Sequence, residues 1–158
     1  MTENHIGKTL WVAQAAPATN DAAGFEALTW VEAKGHITLP QLGVTHSMID
    51  VPDLKSGFTS AVKGAAQGVD TTATFRDVDA DPGQEDVRET ADGQGGIMSI
   101  KVVKGSGVDN APASGDPVQY AQGIVHSYQP NQGDNSNYEG FSVGFRQNAP
   151  TVTGTEPV

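Results

Sequence analysis

The sequence predicts a mainly β protein with one convincing helix, α+β by strict counting. Three observations carry this reading. Nineteen glycines and nine prolines in 158 residues imply many turns. Apolar residues recur at period two in several stretches, as in strands buried on one face. Helix formers gather only at Pro82–Asp92.

The helix and the strand before it form the best-defined unit. Val69, Thr71, Ala73 and Phe75 alternate with Asp70, Thr72, Thr74 and Arg76. Asp81 then stands where its carboxylate can accept the free N–H groups of a helix starting at Pro82, and proline has no N–H to lose there. Gln84 follows Asp81 at the spacing of a capping box. Glu85, Asp86 and Glu89 suit the positive end of the helix, and Gly93 is placed for a left-handed stop. Asp77, Asp79 and Asp81 also match the first three ligands of a calcium loop. The match fails at the sixth position, where glycine is replaced by Pro82, and at the twelfth, where glutamate is replaced by Arg88. An acidic turn with an N-cap is the better reading, and no metal or cofactor is expected.

In chain order, residues 1–7 read as a flexible arm and 8–148 as a single domain, with 149–158 as an extended tail. Residues 8–14 form a first strand anchored by Trp11, and 15–24 a linker. Residues 25–28 could make a helical turn. Residues 29–39 read as one strand. Val31, Ala33, Ile37 and Leu39 lie on one face; Trp30, Glu32, Lys34, His36 and Thr38 lie on the other, with a bulge at Gly35. Residues 40–57 keep no clean period but hold Leu42, Val44, Met48, Ile49, Val51 and Leu54. They read as a long apolar loop that buries its side chains against something, either another subunit or its own domain, and contact between subunits is the expectation carried forward. Residues 58–66 are a weak strand with Phe58, Ser60 and Val62 opposite Thr59, Ala61 and Lys63. Strands follow at 97–103, 117–129 and 138–147, with a flexible loop at 104–116 and a polar turn at 130–137. The strand at 117–129 is apolar on both faces, so it is central or at an interface. In the last strand Phe141, Val143 and Phe145 oppose Gly140, Ser142, Gly144 and Arg146.

Composition narrows function. The chain has no cysteine and a formal net charge of −10. Disulfides and thiolate metal sites are excluded. Wrapping nucleic acid is disfavoured, because it needs Lys and Arg to replace counterions. No stretch approaches the roughly 20 apolar residues of a membrane span. With no signal-like start either, a soluble protein made in a cytoplasm is expected. No phosphate loop, HExxH helix or GxSxG elbow occurs. His5, His36, His46 and His126 lack ligand spacing. Glu32 and Glu139 could face each other, but nothing assembles a base, a nucleophile and an orienting group, so no enzyme is expected.

Taken as an ordered set, these pieces resemble the tail tube (major tail) proteins of long-tailed, lambda-like bacteriophages. The opening Gly7-Lys8-Thr9-Leu10-Trp11-Val12 is similar to that family's first strand. Asp50-Val51-Pro52-Asp53-Leu54 resembles its acidic-hydrophobic loop. Pro82-Gly83-Gln84 stands at its turn before the helix, and Phe141-Ser142-Val143-Gly144-Phe145-Arg146-Gln147-Asn148 is similar to its closing strand. The helix departs in being more polar, with Val87 where Leu and Ala are commoner. The resemblance implies a β-sandwich with one short flanking helix. It also implies six-membered rings whose inner sheets merge into a barrel, stacked into a tube that conducts DNA in the virion tail. The implied partners are further copies of the chain and the tape-measure, tail-tip and tail-terminator proteins. Assembly is implied in the host cytoplasm, with no membrane involved. On the face away from the core, the candidates for the lumen are Glu32, Lys34, His36, Thr38, Thr59, Lys63, Ser142 and Arg146. Alternatives are a type VI-like secretion tube subunit and a monomeric ligand-binding β-sandwich.

Overall fold

Alternating apolar residues do become strands. The order is β1 (Lys8–Ala13), α1 (Ala22–Glu26), β2 (Val31–Glu32), β3 (His36–Thr38), β4 (Val44–Asp53), β5 (Phe58–Gly68), β6 (Asp70–Arg76), α2 (Pro82–Asp92), β7 (Ile97–Lys104), β8 (Pro117–Asn131), β9 (Gly140–Gln147) and β10 (Val152–Thr155). This computed structural model describes residues 6–157, so most of the expected arm at 1–7 lies outside the described residues.

Eight strands make one antiparallel sheet in the order β2-β1-β7-β8-β9-β6-β3, with β10 added beside β8. The long strand β8 organises it. β7 pairs along one edge of β8, while β10 and β9 follow one another along the other. The main core gathers Leu10, Val12, Ile100, Val102 and Ala121 from one half of the sheet. Ala73, Phe75, Phe141, Val143 and Phe145 come from the other half, and Val87 from α2. No barrel closes among the described strands.

The first half is buried on both faces. Met98, Ile100 and Val102 of β7 enter the main core, while Val103 joins Val118, Tyr120 and Phe25 in a second cluster. Phe25 of α1 stacks on Tyr120 with ring centroids 5.1 Å apart, and Trp11 and Trp30 pack beside them. The two apolar faces of 117–129 therefore mark a central strand, and its second cover comes from this chain.

Several expectations change. Residues 29–39 are not one strand. β2 lies at one end of the sheet order and β3 at the other, joined by Ala33, Lys34 and Gly35. Gly35 is a positive-φ turn (75°) rather than a bulge. An irregularity between His36 and Thr38 pairs His36 with Phe75 and Thr38 with Thr74, so these two side chains take opposite faces. Ile37, expected in the core, is 48% exposed. Residues 40–57 are no long loop: they hold β4, which pairs with β5 in a hairpin. The expected tail at 149–158 contributes β10 to the sheet, so β9 is not the last strand. Residues 104–116 carry a 3-10 turn at Val108–Asn110 and are pinned by Asp116. That carboxylate accepts from Ser106 Oγ (2.6 Å), Ser106 N (2.9 Å) and Ala113 N (2.7 Å).

The helix start is as expected at Asp81 and different at Gln84. Asp81 Oδ2 accepts from Gln84 N at 3.1 Å and from Lys34 N at 3.0 Å. The Gln84 side chain, fully buried, does not close a capping box. Its amide donates to Lys34 O (2.6 Å) and Arg76 O (2.7 Å), and its oxygen accepts from Val78 N (3.2 Å). Gly93 ends the helix in an extended conformation (φ −75°, ψ 152°), not a left-handed one. Asp77 is paired with Arg88 at 2.6 Å, so the acidic turn is tied to the helix.

Two outcomes are expected. Asp81→Ala removes a helix cap and leaves the Lys34 N–H without its partner. Denaturant unfolding should show a loss of about 2 kcal/mol, and added calcium should leave the melting temperature unchanged. The second concerns Asp116, whose carboxyl is held below the usual carboxylate range, first by the Ser106 hydroxyl and then by the Ala113 and Ser106 amides. A depressed pKa stabilises above the unfolded value and stops stabilising as pH falls through the folded one. Protection of the Ser106 and Ala113 amides from hydrogen exchange should therefore fall below about pH 4, and in Asp116→Asn that acid-dependent step should vanish.

Candidate assembly surface

The β4–β5 hairpin pairs only with itself, ten residues against eleven, and nearly all of it is exposed. Its register builds two unlike faces. Ile49 opposes Val62, Val51 opposes Ser60 and Asp53 opposes Phe58, so Ile49, Val51, Phe58 and Val62 share one side. Their exposures are 55%, 44%, 73% and 52%, and Leu54 at the turn is wholly exposed. The other side carries Met48 opposite Lys63, Asp50 opposite Ala61 and Pro52 opposite Thr59. An isolated two-stranded hairpin is at best marginally stable in water, and this one leaves its apolar side open.

The hairpin is held at its root. Gly43 N donates to Gln147 Oε1, Val69 N to Gly43 O (3.1 Å), and Arg146 Nη2 to Gln67 Oε1 (3.2 Å). Gly68 lies so close to β9 that a Cβ would stand 2.1 Å from Gln147 O. Of the six residues expected to make subunit contacts, Leu42 packs partly on the main core. Val44, Met48, Ile49, Val51 and Leu54 lie on the hairpin or its turn. Phe58 and Val62 were not among them, although the alternation of 58–62 already set them on one side.

The lumen candidates are scattered. Thr38, Ser142 and Arg146 share the outer face of β3, β6 and β9, through pairing with Thr74 and Asp70. Thr59 and Lys63 lie on the second side of the hairpin. Glu32 sits at the far edge of the sheet opposite Trp11, and the Lys34 backbone is taken up by Asp81 and Gln84. His36 faces the side of Phe75.

Charge is uneven. Asp50 and Asp53 offset Lys55 and Lys63, so the hairpin is neutral while the chain carries −10. The buried Lys101 is structural. It meets Glu156 at 3.2 Å and stands over the rings of Trp11 (5.1 Å) and Trp30 (5.6 Å), fixing the end of β10. Burial, with help from the Glu156 and Glu26 carboxylates, pushes the neighbouring Tyr120 hydroxyl up to about 12.

A family model described as phage tail tube protein matches residues 5–156. No curated protein matches the sequence. Among solved structures, the tail tube of SPP1 aligns with a TM-score of 0.63 at 12% identity, covering 96% of this chain and 78% of that one. The sheath-tube complex of an extracellular contractile injection system (PVC) gives 0.59 at 8% identity, covering 94% and 88%. The tail of an empty GTA particle, refined with C6 symmetry, gives 0.57 at 12% identity, covering 95% and 97%.

Proposed function

The chain belongs to the phage tail tube protein family, whose members are structural proteins and not enzymes, and from that premise we propose that six copies form a ring and that stacked rings make a DNA-conducting tube. One observation carries the reading. A neutral hairpin with an open apolar face projects from a strongly acidic subunit. Copies of a subunit carrying −10 repel one another, and the hairpin is where they meet with least repulsion. The contact is heterologous, the hairpin of one copy lying on a different surface of the next, and such contacts close into rings or run on as filaments. Residues 8–148 form the ring-building domain, completed by β10. Thr38, Ser142 and Arg146 are the lumen candidates that share a face; Glu32, Lys34, His36, Thr59 and Lys63 complete the proposed set. The tape-measure, tail-tip and tail-terminator proteins are the proposed partners, and the virion tail, built in the host cytoplasm, is the proposed location. The likeness to an injection-system tube favours a second reading, a tube that carries protein. Neighbouring genes for a terminase and a tape-measure protein would select the first.

Replacing Ile49 and Phe58 together with Ser removes two apolar side chains from one face, each worth roughly 1.5–3 kcal/mol when buried. The expected result is loss of tubes in electron micrographs with the circular dichroism melting curve unchanged. Normal polymerisation of the double variant would remove the hairpin from the interface. Sedimentation of the parent as monomer alone at high concentration would favour a monomeric β-sandwich instead.

A further inference from the structure

Outside the hairpin, the large apolar side chains exposed among the described residues are Ile6, Ile37, Ile97, Val108 and Tyr138. Two of these, Ile6 and Ile37, line a single cleft of about 390 Å³ together with Leu39. Leu39 also walls a second cleft of about 610 Å³, with Pro40, Leu42 and Val102. This is an open end of the main core, since Val102 belongs to that core and Leu39 and Leu42 pack partly on it. Lys8, two residues before the buried Leu10 on β1, stands in the second cleft. Among the described residues that line the two clefts there is no carboxylate, and Lys8 is the one permanent cation. The hairpin offers the converse. On the side that holds Ile49, Val51, Phe58 and Val62, the register places one charged residue, Asp53, opposite Phe58. Its carboxylate accepts from Lys55 N at 2.9 Å, which fixes it at the turn.

We propose that the paired clefts around Leu39 are the seat for the hairpin of a second copy of this chain, a role that rests on reading the hairpin as the assembly element. The apolar side of the incoming hairpin lies on Ile6, Ile37 and Leu39, and Asp53 comes against Lys8. Three observations select this occupant. Both surfaces expose apolar side chains that nothing in their own chain covers. Their single charges are opposite, and in a subunit of −10 a seat without carboxylates admits an anionic side chain without repulsion. Reach excludes the chain's own hairpin. Leu42 stands two residues before the start of β4 at Val44. A strand rises about 3.3 Å per residue, so Asp53 and Phe58 are held roughly 30 Å from the seat of their own subunit. Hairpin tip and seat lie at opposite ends of β4. Each copy therefore gives a hairpin to one neighbour and receives one from another, and the contact repeats.

The test separates giver from receiver with two variants of the full chain. Ile49→Ser with Phe58→Ser spoils the hairpin and keeps the seat. Ile37→Asp with Lys8→Glu spoils the seat and keeps the hairpin. None of the four side chains belongs to the buried core, so both variants should melt as the parent does by circular dichroism. In sedimentation velocity each variant alone should stay monomeric where the parent forms tubes. An equimolar mixture should form a one-to-one dimer and stop there, because one intact hairpin meets one intact seat and the remaining ends are dead. Lys8→Glu alone should raise the threshold concentration for tubes about two- to five-fold, and Asp53→Lys in the same chain should bring it back. Tubes from the seat variant at the parent's threshold, with none from the hairpin variant, would overturn the seat and leave the hairpin as the assembly element. A mixture that stays monomeric would do the same. So would a seat variant that melts well below the parent, because the cleft would then be filled by its own chain. Tubes from the hairpin variant would overturn the hairpin reading, and the seat with it.

Discussion

The whole arrangement depends on four hydrogen bonds at the seam between β2 and β3. These strands stand at opposite ends of the sheet order, yet only Ala33, Lys34 and Gly35 separate them in the chain. The sheet must therefore curl until its ends nearly meet, and the link reaches a strand only at its two ends, β1 at Ala33 and β6 at Gly35, while Lys34 between them is satisfied by the start of α2. Ala33 N donates to Leu10 O, Lys34 N to Asp81, Gln84 to Lys34 O, and Arg76 N to Gly35 O. The start of α2 thus takes the place of a missing ladder, which buried backbone requires. Two glycines permit it. A Cβ on Gly83 would lie 2.2 Å from Glu32 O, and Gly35 turns at positive φ against Arg76 O.

Seen this way, the apolar residues of α2 matter less than its polar first turn. Val87 reaches the core, but Asp81, Gly83 and Gln84 set where the helix sits. Arg88 extends the same role outward, holding Asp77 and lying 4.7 Å over the ring of Phe141. A short polar helix, marginal alone, is stabilised by what it completes.

The parts legible in the sequence were those whose pattern is set by the main core. Ala73 and Phe75 in β6, and Phe141, Val143 and Phe145 in β9, alternate because one side of each strand is buried. The cap at Asp81 was legible because capping is local. Gln84 was misread because its partners lie 50 and 8 residues away, and no capping pattern encodes them. Residues 29–39 kept one alternation while the chain stepped from one end of the sheet order to the other, so the crossing at Gly35 left no trace in periodicity. β4 hid for another reason. Met48 and Ile49 are adjacent apolar residues on opposite sides, and Pro52 interrupts the strand signal. Such a strand answers to no core within its own chain. β10 is four residues long with one apolar anchor, Val152, too short for any period to show. Among the candidate surface residues, chemistry was readable and placement was not. The apolar side chains of 42–54 stood out, while their division into two sides awaited the register with β5.

The root of the hairpin has a mechanical consequence. The body of the subunit is cross-tied by two apolar clusters and the seam, whereas the hairpin joins it through a few hydrogen bonds around Gly43, Gln67 and Gly68. Stiffness is concentrated in the block and compliance at the base of the spur. In any polymer whose neighbours grip the spur, bending strain collects at that base. The filament then flexes by many small rotations between undeformed blocks, and its curvature can change without any block losing its packing.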